Sequence, residues 1–150
     1  MPRCFEDLVV SEASRSEGRV ISDEDVRAFA ALTGDRNPLH LSDEAARRGG
    51  FGRRVAHGAL VFSASIALLQ ADEARSPDIV AFLGVEKLRF VGPVFPGDTI
   101  SVRTTIRSLD PVNAHEGMMQ AAVEVLDQHE TARLTYTAKF LVRRAAAVTG

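Results

Sequence analysis

Residues 55–71 read VAHGALVFSASIALLQA, and the reading of this stretch decides the fold. It carries no charge when His57 is neutral, in a chain where 25% of residues are Asp, Glu, Lys or Arg. No face of it is written for water, and a helix apolar on every side is a buried helix. With Ser63, Ser65 and Gln70 inside it, it is too short and too polar to span a bilayer, which takes about 20 apolar residues. Something must therefore wrap it. Ala59, Ser63, Ala67 and Ala71 recur every fourth residue and fall on one side of the helix, where a second surface can come close. Leu60, Phe62, Ile66, Leu68 and Leu69 cover much of the remaining circumference. Gly58 stands near the start, where backbone N–H groups lack intrahelical acceptors and carry the positive end of the helix dipole. A buried helix start is a candidate site for developing negative charge.

The wrapping is encoded downstream. Residues 79–91 are rich in Val, Leu and Phe, and GPVFPGD (92–98) makes an irregular turn. In residues 99–109, Ile100, Val102, Thr104 and Ile106 alternate with Arg103, Thr105 and Arg107. Met119, Ala121, Val123 and Val125 alternate likewise, residues 127–130 form a hairpin turn, and 131–143 return. Such alternation marks an antiparallel sheet covered on one face.

Upstream, residues 1–21 are mixed, with a possible first strand at 19–21. Ser22 with Asp25 resembles a capping box, and Val26, Phe29, Ala30 and Thr33 share one face of a helix over 23–33. Gly34 stops it. DRNPLH (35–40) is a polar turn stiffened by Pro38. Ser42 caps a short helix over 43–48, Gly49 and Gly50 end it, and FGRR (51–54) is a basic loop. Helices in the first half and strands in the second argue an α+β fold. Residues 145–150 are expected to fray.

Composition excludes several classes. At 150 residues with 45% apolar content, the chain fits one domain with one core. Lys plus Arg number 18 against 20 Asp plus Glu, so no basic footprint for nucleic acid is present. MPRCFEDLVV at the start carries acids and no long apolar region, which does not read as a signal peptide. A cytoplasmic protein without a membrane anchor is expected. Cys4 is the only cysteine, which excludes a thiolate-rich zinc site. His40, His57, His115 and His129 show no HxxxH or HExxH spacing, so no metal is expected.

GDRNPLH (34–40), followed by RVAHGAL (54–60), resembles the hydratase signature of MaoC-like dehydratases and (R)-specific enoyl-CoA hydratases, with both blocks at the family's spacing. LRF (88–90) and PVFPGD (93–98) are similar to the same family, so the likeness covers most of the chain. The resemblance implies a single MaoC-like hot-dog domain over residues 1–150, a long antiparallel sheet around a central apolar helix with a helical overhang carrying the site. It implies hydration of a trans-2-enoyl thioester to the (R)-3-hydroxyacyl thioester, or the reverse, by syn addition. It further implies Asp35 and His40 as the catalytic dyad and the Gly58 N–H as donor to the thioester oxygen; Asn37, His57 and Ser63 are further candidate substrate-site residues, with His57 read as ordering the loop before the helix more than acting on substrate. Some relatives carry a serine two turns into the central helix, where this chain has Ile66 with Ser63 nearby. No cofactor is implied, because CoA or phosphopantetheine belongs to the substrate.

The residues support that chemistry on their own terms. Hydrating a conjugated C=C needs a base for water, an acid for the α-carbon and a donor for the enolate oxygen. A carboxylate and an imidazole on a Pro-stiffened turn can converge on one water and trade a proton near neutral pH. Alone, Asp35 and Asn37-Pro38 are ordinary turn formers; with His40 and the His57-Gly58 helix start they form a candidate site. Arg53 and Arg54 are candidates for CoA phosphates. Two other readings stay open: a hot-dog thioesterase using a carboxylate as base or nucleophile, and a non-catalytic acyl-binding subunit. A long open sheet edge predicts a homodimer with one continuous sheet.

Overall fold

A computed structural model describes residues 1–146; the expected fraying at 145–150 lies, from residue 147 on, outside them. The order is β1 (Ala13–Arg15), β2 (Arg19–Val20), α1 (Asp23–Thr33), α2 (Pro38–Leu41), α3 (Asp43–Arg48), α4 (Gly58–Leu68), β3 (Ile79–Phe90), β4 (Thr99–Pro111), β5 (Glu116–Leu126) and β6 (Ala132–Arg143). The strands form one six-stranded sheet in the order β1-β4-β5-β6-β3, with β2 also on β4. All these pairings are antiparallel.

Local chemistry places the helices. Ser22 Oγ accepts from the Asp25 N–H at 3.0 Å and Asp25 returns a bond to the Ser22 N–H, closing a reciprocal cap on α1. Gly34 ends α1 at φ 78°, a left-handed conformation that costs glycine little. Asp127 Oδ1 accepts from the His129 and Thr131 amides and so shapes the β5–β6 turn.

The alternating residues of β4, β5 and β6 form the core against α4. Ile100, Val102, Val123, Val125, Tyr136, Ala138 and Phe140 are buried with Leu60, Val61 and Ala64 of the helix. Ser65, also on this face, shares a 2.7 Å hydrogen bond with Tyr136 Oη while donating to the Phe62 carbonyl. Burial pushes the Tyr136 hydroxyl up to about 12. The two partners are not equivalent. Ser65→Ala strands a buried phenol and is expected to cost about 1–3 kcal/mol, while Tyr136→Phe leaves Ser65 bonded to Phe62 and is expected to cost about 0.5–1.5 kcal/mol. Urea denaturation of both variants checks this order.

One expectation is corrected. A single chain does not bury α4 all round: Ala59, Ser63 and Ala67 are exposed, and Phe62, Ile66 and Leu68 are half-buried. A sheet covers one side of a helix only, and the small-residue stripe is left uncovered by the described residues. The strand β3 tells the same story. It pairs with β6 alone, at the sheet edge, and exposes Val80, Phe82, Leu83 and Phe90.

Candidate active site

The dyad loop is built by short-range polar bonds. Asp35 Oδ1 accepts from the Asn37 N–H at 3.2 Å, and Asn37 Oδ1 accepts from the Leu39 N–H at 3.2 Å. Pro38 follows at the first helical position, where no N–H is needed. The stretch read as a plain turn thus contains a helical turn, α2, because Asn37 caps it and Pro38 presets its φ. That turn carries His40 inward while Asp35 stays exposed.

His40 Nδ1 lies 2.7 Å from the Val55 carbonyl oxygen. A carbonyl only accepts, so Nδ1 holds the proton and Nε2 keeps its lone pair. His57 Nε2 lies 3.0 Å from the Asp35 carbonyl oxygen and by the same logic carries a proton. Its Nδ1 is buried without a partner among the described residues. The two rings stack with centroids 3.8 Å apart and planes at 30°, and Phe29 of α1 packs on His57 at 4.9 Å. Side-chain ligand atoms of Asp35, His40 and His57 all lie within 4.8 Å of one another.

A cation bound to imidazole sits in the ring plane about 2 Å from nitrogen. Here His40 Nδ1 and His57 Nε2 are each engaged by a main-chain carbonyl, which leaves, among the described residues, His40 Nε2 and the buried His57 Nδ1 as the free ring nitrogens of the cluster.

Burial lowers the pKa of His40 from 6.5, helped by nearby His57 and opposed by the Val55 bond and Asp35. A histidine that accepts a proton must start neutral, and a lowered pKa keeps His40 neutral at pH values where ordinary histidine is already charged. The acid limb of kcat/KM is therefore expected below pH 6.5. Stability follows the same sign: the unfolded state takes up the proton first, so this group's stabilisation is present above 6.5 and is lost as pH falls below it. Rate and denaturation profiles between acid and neutral pH check both.

The helix start completes the site. His57 precedes α4 without a side-chain cap bond, and the first amide with a helical acceptor is Val61, bonded to the His57 carbonyl at 3.1 Å. The amides of Gly58, Ala59 and Leu60 have no acceptor within the helix. A Cβ on Gly58 would stand 2.6 Å from the Phe90 ring, so glycine lets that ring close against the backbone. A cavity of about 580 Å³ opens here, lined by His40, Gly58, Ala59, Val61, Phe90 and Leu134 among others, with Arg133 in its wall. It is an apolar chamber with one imidazole and free amides at its end. A larger cavity of about 900 Å³ lies at the C-terminal end of α4, between residues 68–77 and the sheet, and contains none of these groups.

The profile of the MaoC like domain matches residues 8–129. The chain belongs to the MaoC-like dehydratase family. A 3-hydroxybutyryl-CoA dehydratase of Methylorubrum extorquens is 40% identical over 71% of this chain and 66% of its own length. An (R)-specific enoyl-CoA hydratase of Rhodospirillum rubrum is 35% identical over 71% of this chain and 72% of its own. Other curated relatives are longer, and the chain spans as little as 30% of them. A Mycobacterium tuberculosis protein with a double hotdog fold superposes with a TM-score of 0.84 at 22% identity, over 99% of this chain and 46% of that one. The architecture is the hot-dog fold.

Within this MaoC-like chain the expected residues fall into two groups. Asp35, His40 and His57 meet beside the start of α4; His40 and Gly58 line the cavity there, and Asp35 and His57 do not. Asn37 is close in sequence but its side-chain oxygen is spent on capping α2. Ser63 lies on the exposed face of α4 and does not line the cavity, while Ile66 packs on the core. Arg54 is tied to Asp23 and Asp43. Arg53 donates to the Pro96 carbonyl and stacks on Phe95, so both arginines are engaged within the chain. Sequence reasoning missed the Val55 carbonyl, Phe29, Phe90 and Arg133. Phe29 carried a signal only as an apolar residue of a helix, and Phe90 only as part of a strand and of the family-like LRF, without a place in the site.

Proposed function

We propose that this protein is a hydro-lyase that reversibly hydrates trans-2-enoyl thioesters of CoA or acyl carrier protein to (R)-3-hydroxyacyl thioesters. The observation that carries this is the pinned His40: its Nδ1–H is held by Val55, its Nε2 lone pair is free, and one side-chain ligand atom each of Asp35, His40 and His57 lie within 4.8 Å of one another. With the thioester oxygen at the Gly58 amide, water held between Asp35 and His40 adds at the β-carbon. The dyad takes one proton from that water and returns one to the α-carbon, so the sum is H and OH across C=C. The Gly58 N–H carries the negative charge that develops on the oxygen. Acid–base groups suffice, and CoA or phosphopantetheine enters as the substrate's own moiety. The relatives' names support the reaction class.

The working form in this reading is a cytoplasmic homodimer. Edge strand β3 with its exposed Phe82 and Leu83, and the bare Ala59, Ser63 and Ala67 of α4, are the apolar surfaces that support a second copy in this reading. No described helix is long and apolar enough to cross a membrane.

The test is loss of the conjugated-enoyl absorbance when protein meets an enoyl-CoA, followed by chiral analysis of the product. An (R)-3-hydroxyacyl product supports the reading; free thiol without hydration would place the protein among thioesterases, and no reaction with retained binding would make it an acyl-binding subunit.

A further inference from the structure

His57 is 1% exposed, yet one of its ring nitrogens, Nδ1, has no hydrogen-bond partner among the described residues. A buried polar atom without a partner lowers stability, and an apolar ring would carry no such orphan. The other nitrogen does something an apolar ring cannot. Its N–H reaches across 22 positions of sequence to the Asp35 main-chain carbonyl. The other bonds at Asp35 are local: its own N–H to Thr33 Oγ1, and its side chain to the Asn37 N–H. The exposed loop bearing the carboxylate is thus tied to the buried start of α4 by this imidazole. The same ring stacks on His40 at 3.8 Å and is itself backed by Phe29 at 4.9 Å.

We infer that His57 is a positioning residue that sets the separation of the dyad: its Nε2–H fixes the backbone of Asp35 while its ring face supports that of His40. The inference rests on the hydratase reading above. It touches no substrate atom and needs no charge on His57. A catalytic group misplaced by about 1 Å can lose on the order of 10²-fold in rate, so a tether of this kind acts on kcat before it acts on binding.

Two variants separate the bond from the packing. His57→Phe keeps a ring against His40 and Phe29, removes the orphan nitrogen and removes the donor. Its melting temperature is expected at or a few degrees below that of the wild type, because the Asp35 carbonyl loses its donor and the phenyl ring is larger, with kcat on enoyl-CoA down about 10- to 100-fold and KM little changed. His57→Gln keeps an N–H near the Nε2 position and is expected to recover most of kcat even though it melts earlier. A folded Phe variant with wild-type kcat, or a Gln variant as impaired as Phe, overturns the inference. Histidine ¹⁵N resonances of the wild-type protein give a readout independent of any variant: the inference requires the Nε2–H tautomer of His57 at neutral pH, and the Nδ1–H tautomer overturns it. Wild-type protein that hydrates no enoyl-CoA defeats the reaction assignment instead, so the two failures are distinct.

Discussion

Asp35→Ala is expected to lower kcat for enoyl-thioester hydration by about 10²- to 10⁴-fold, and His40→Ala by the same order, because each removes one of two groups that share a proton with the attacking water. The double variant is expected to be little worse than either single one, since residues acting as a unit are not additive. Their structural costs differ. Asp35 is exposed and makes only a local turn bond to the Asn37 N–H, so Asp35→Ala is expected within about 0.5 kcal/mol of wild-type stability. His40 is 9% exposed and bonds Val55, so His40→Ala also leaves a carbonyl unpaired, at about 1–3 kcal/mol. Asp35→Ala is therefore the cleaner test, with circular dichroism confirming its fold. Undiminished hydration in both variants would remove the dyad.

Leu83→Glu is expected to weaken self-association by about 30-fold, the effect of about 2 kcal/mol for burying an unpaired charge where an apolar side chain stood. Leu83 is 50% exposed in the single chain and sits on β3, at the open edge of the sheet. A charge there leaves the folded protomer nearly untouched and is buried only when a second copy docks. Sedimentation velocity at micromolar concentration reads the result. Wild-type protein running as a monomer under those conditions would contradict the continuous-sheet dimer.

Local patterns carried much of the fold. The α1 cap at Ser22 and Asp25, its stop at Gly34 and the cap at Ser42 are contacts between residues a few positions apart, and a linear reading sees those. Strand β5 was legible because buried and half-buried positions alternate along it, and β4 less so, since Ile100, Ser101 and Val102 are buried in a row. The short α2 was not, since Asn37-Pro38 opens a turn and a helix with the same residues. The degree of wrapping around α4 was not either: apolar character says that water must be excluded, without saying whether the same chain does it.

The sequence by itself determined the ingredients: an uncharged central helix, an antiparallel sheet to cover it, and an aspartate and a histidine on a proline-stiffened loop ahead of a glycine at the helix start. These are properties of composition and short spacing. Only the tertiary structure decided which nitrogen of His40 is free, that His57 grips Asp35 while stacking on His40, and that Phe90 closes over Gly58. Each of those joins segments far apart in the chain, and their geometry follows from how the helix start, the loop and the third strand pack together, which no local pattern encodes.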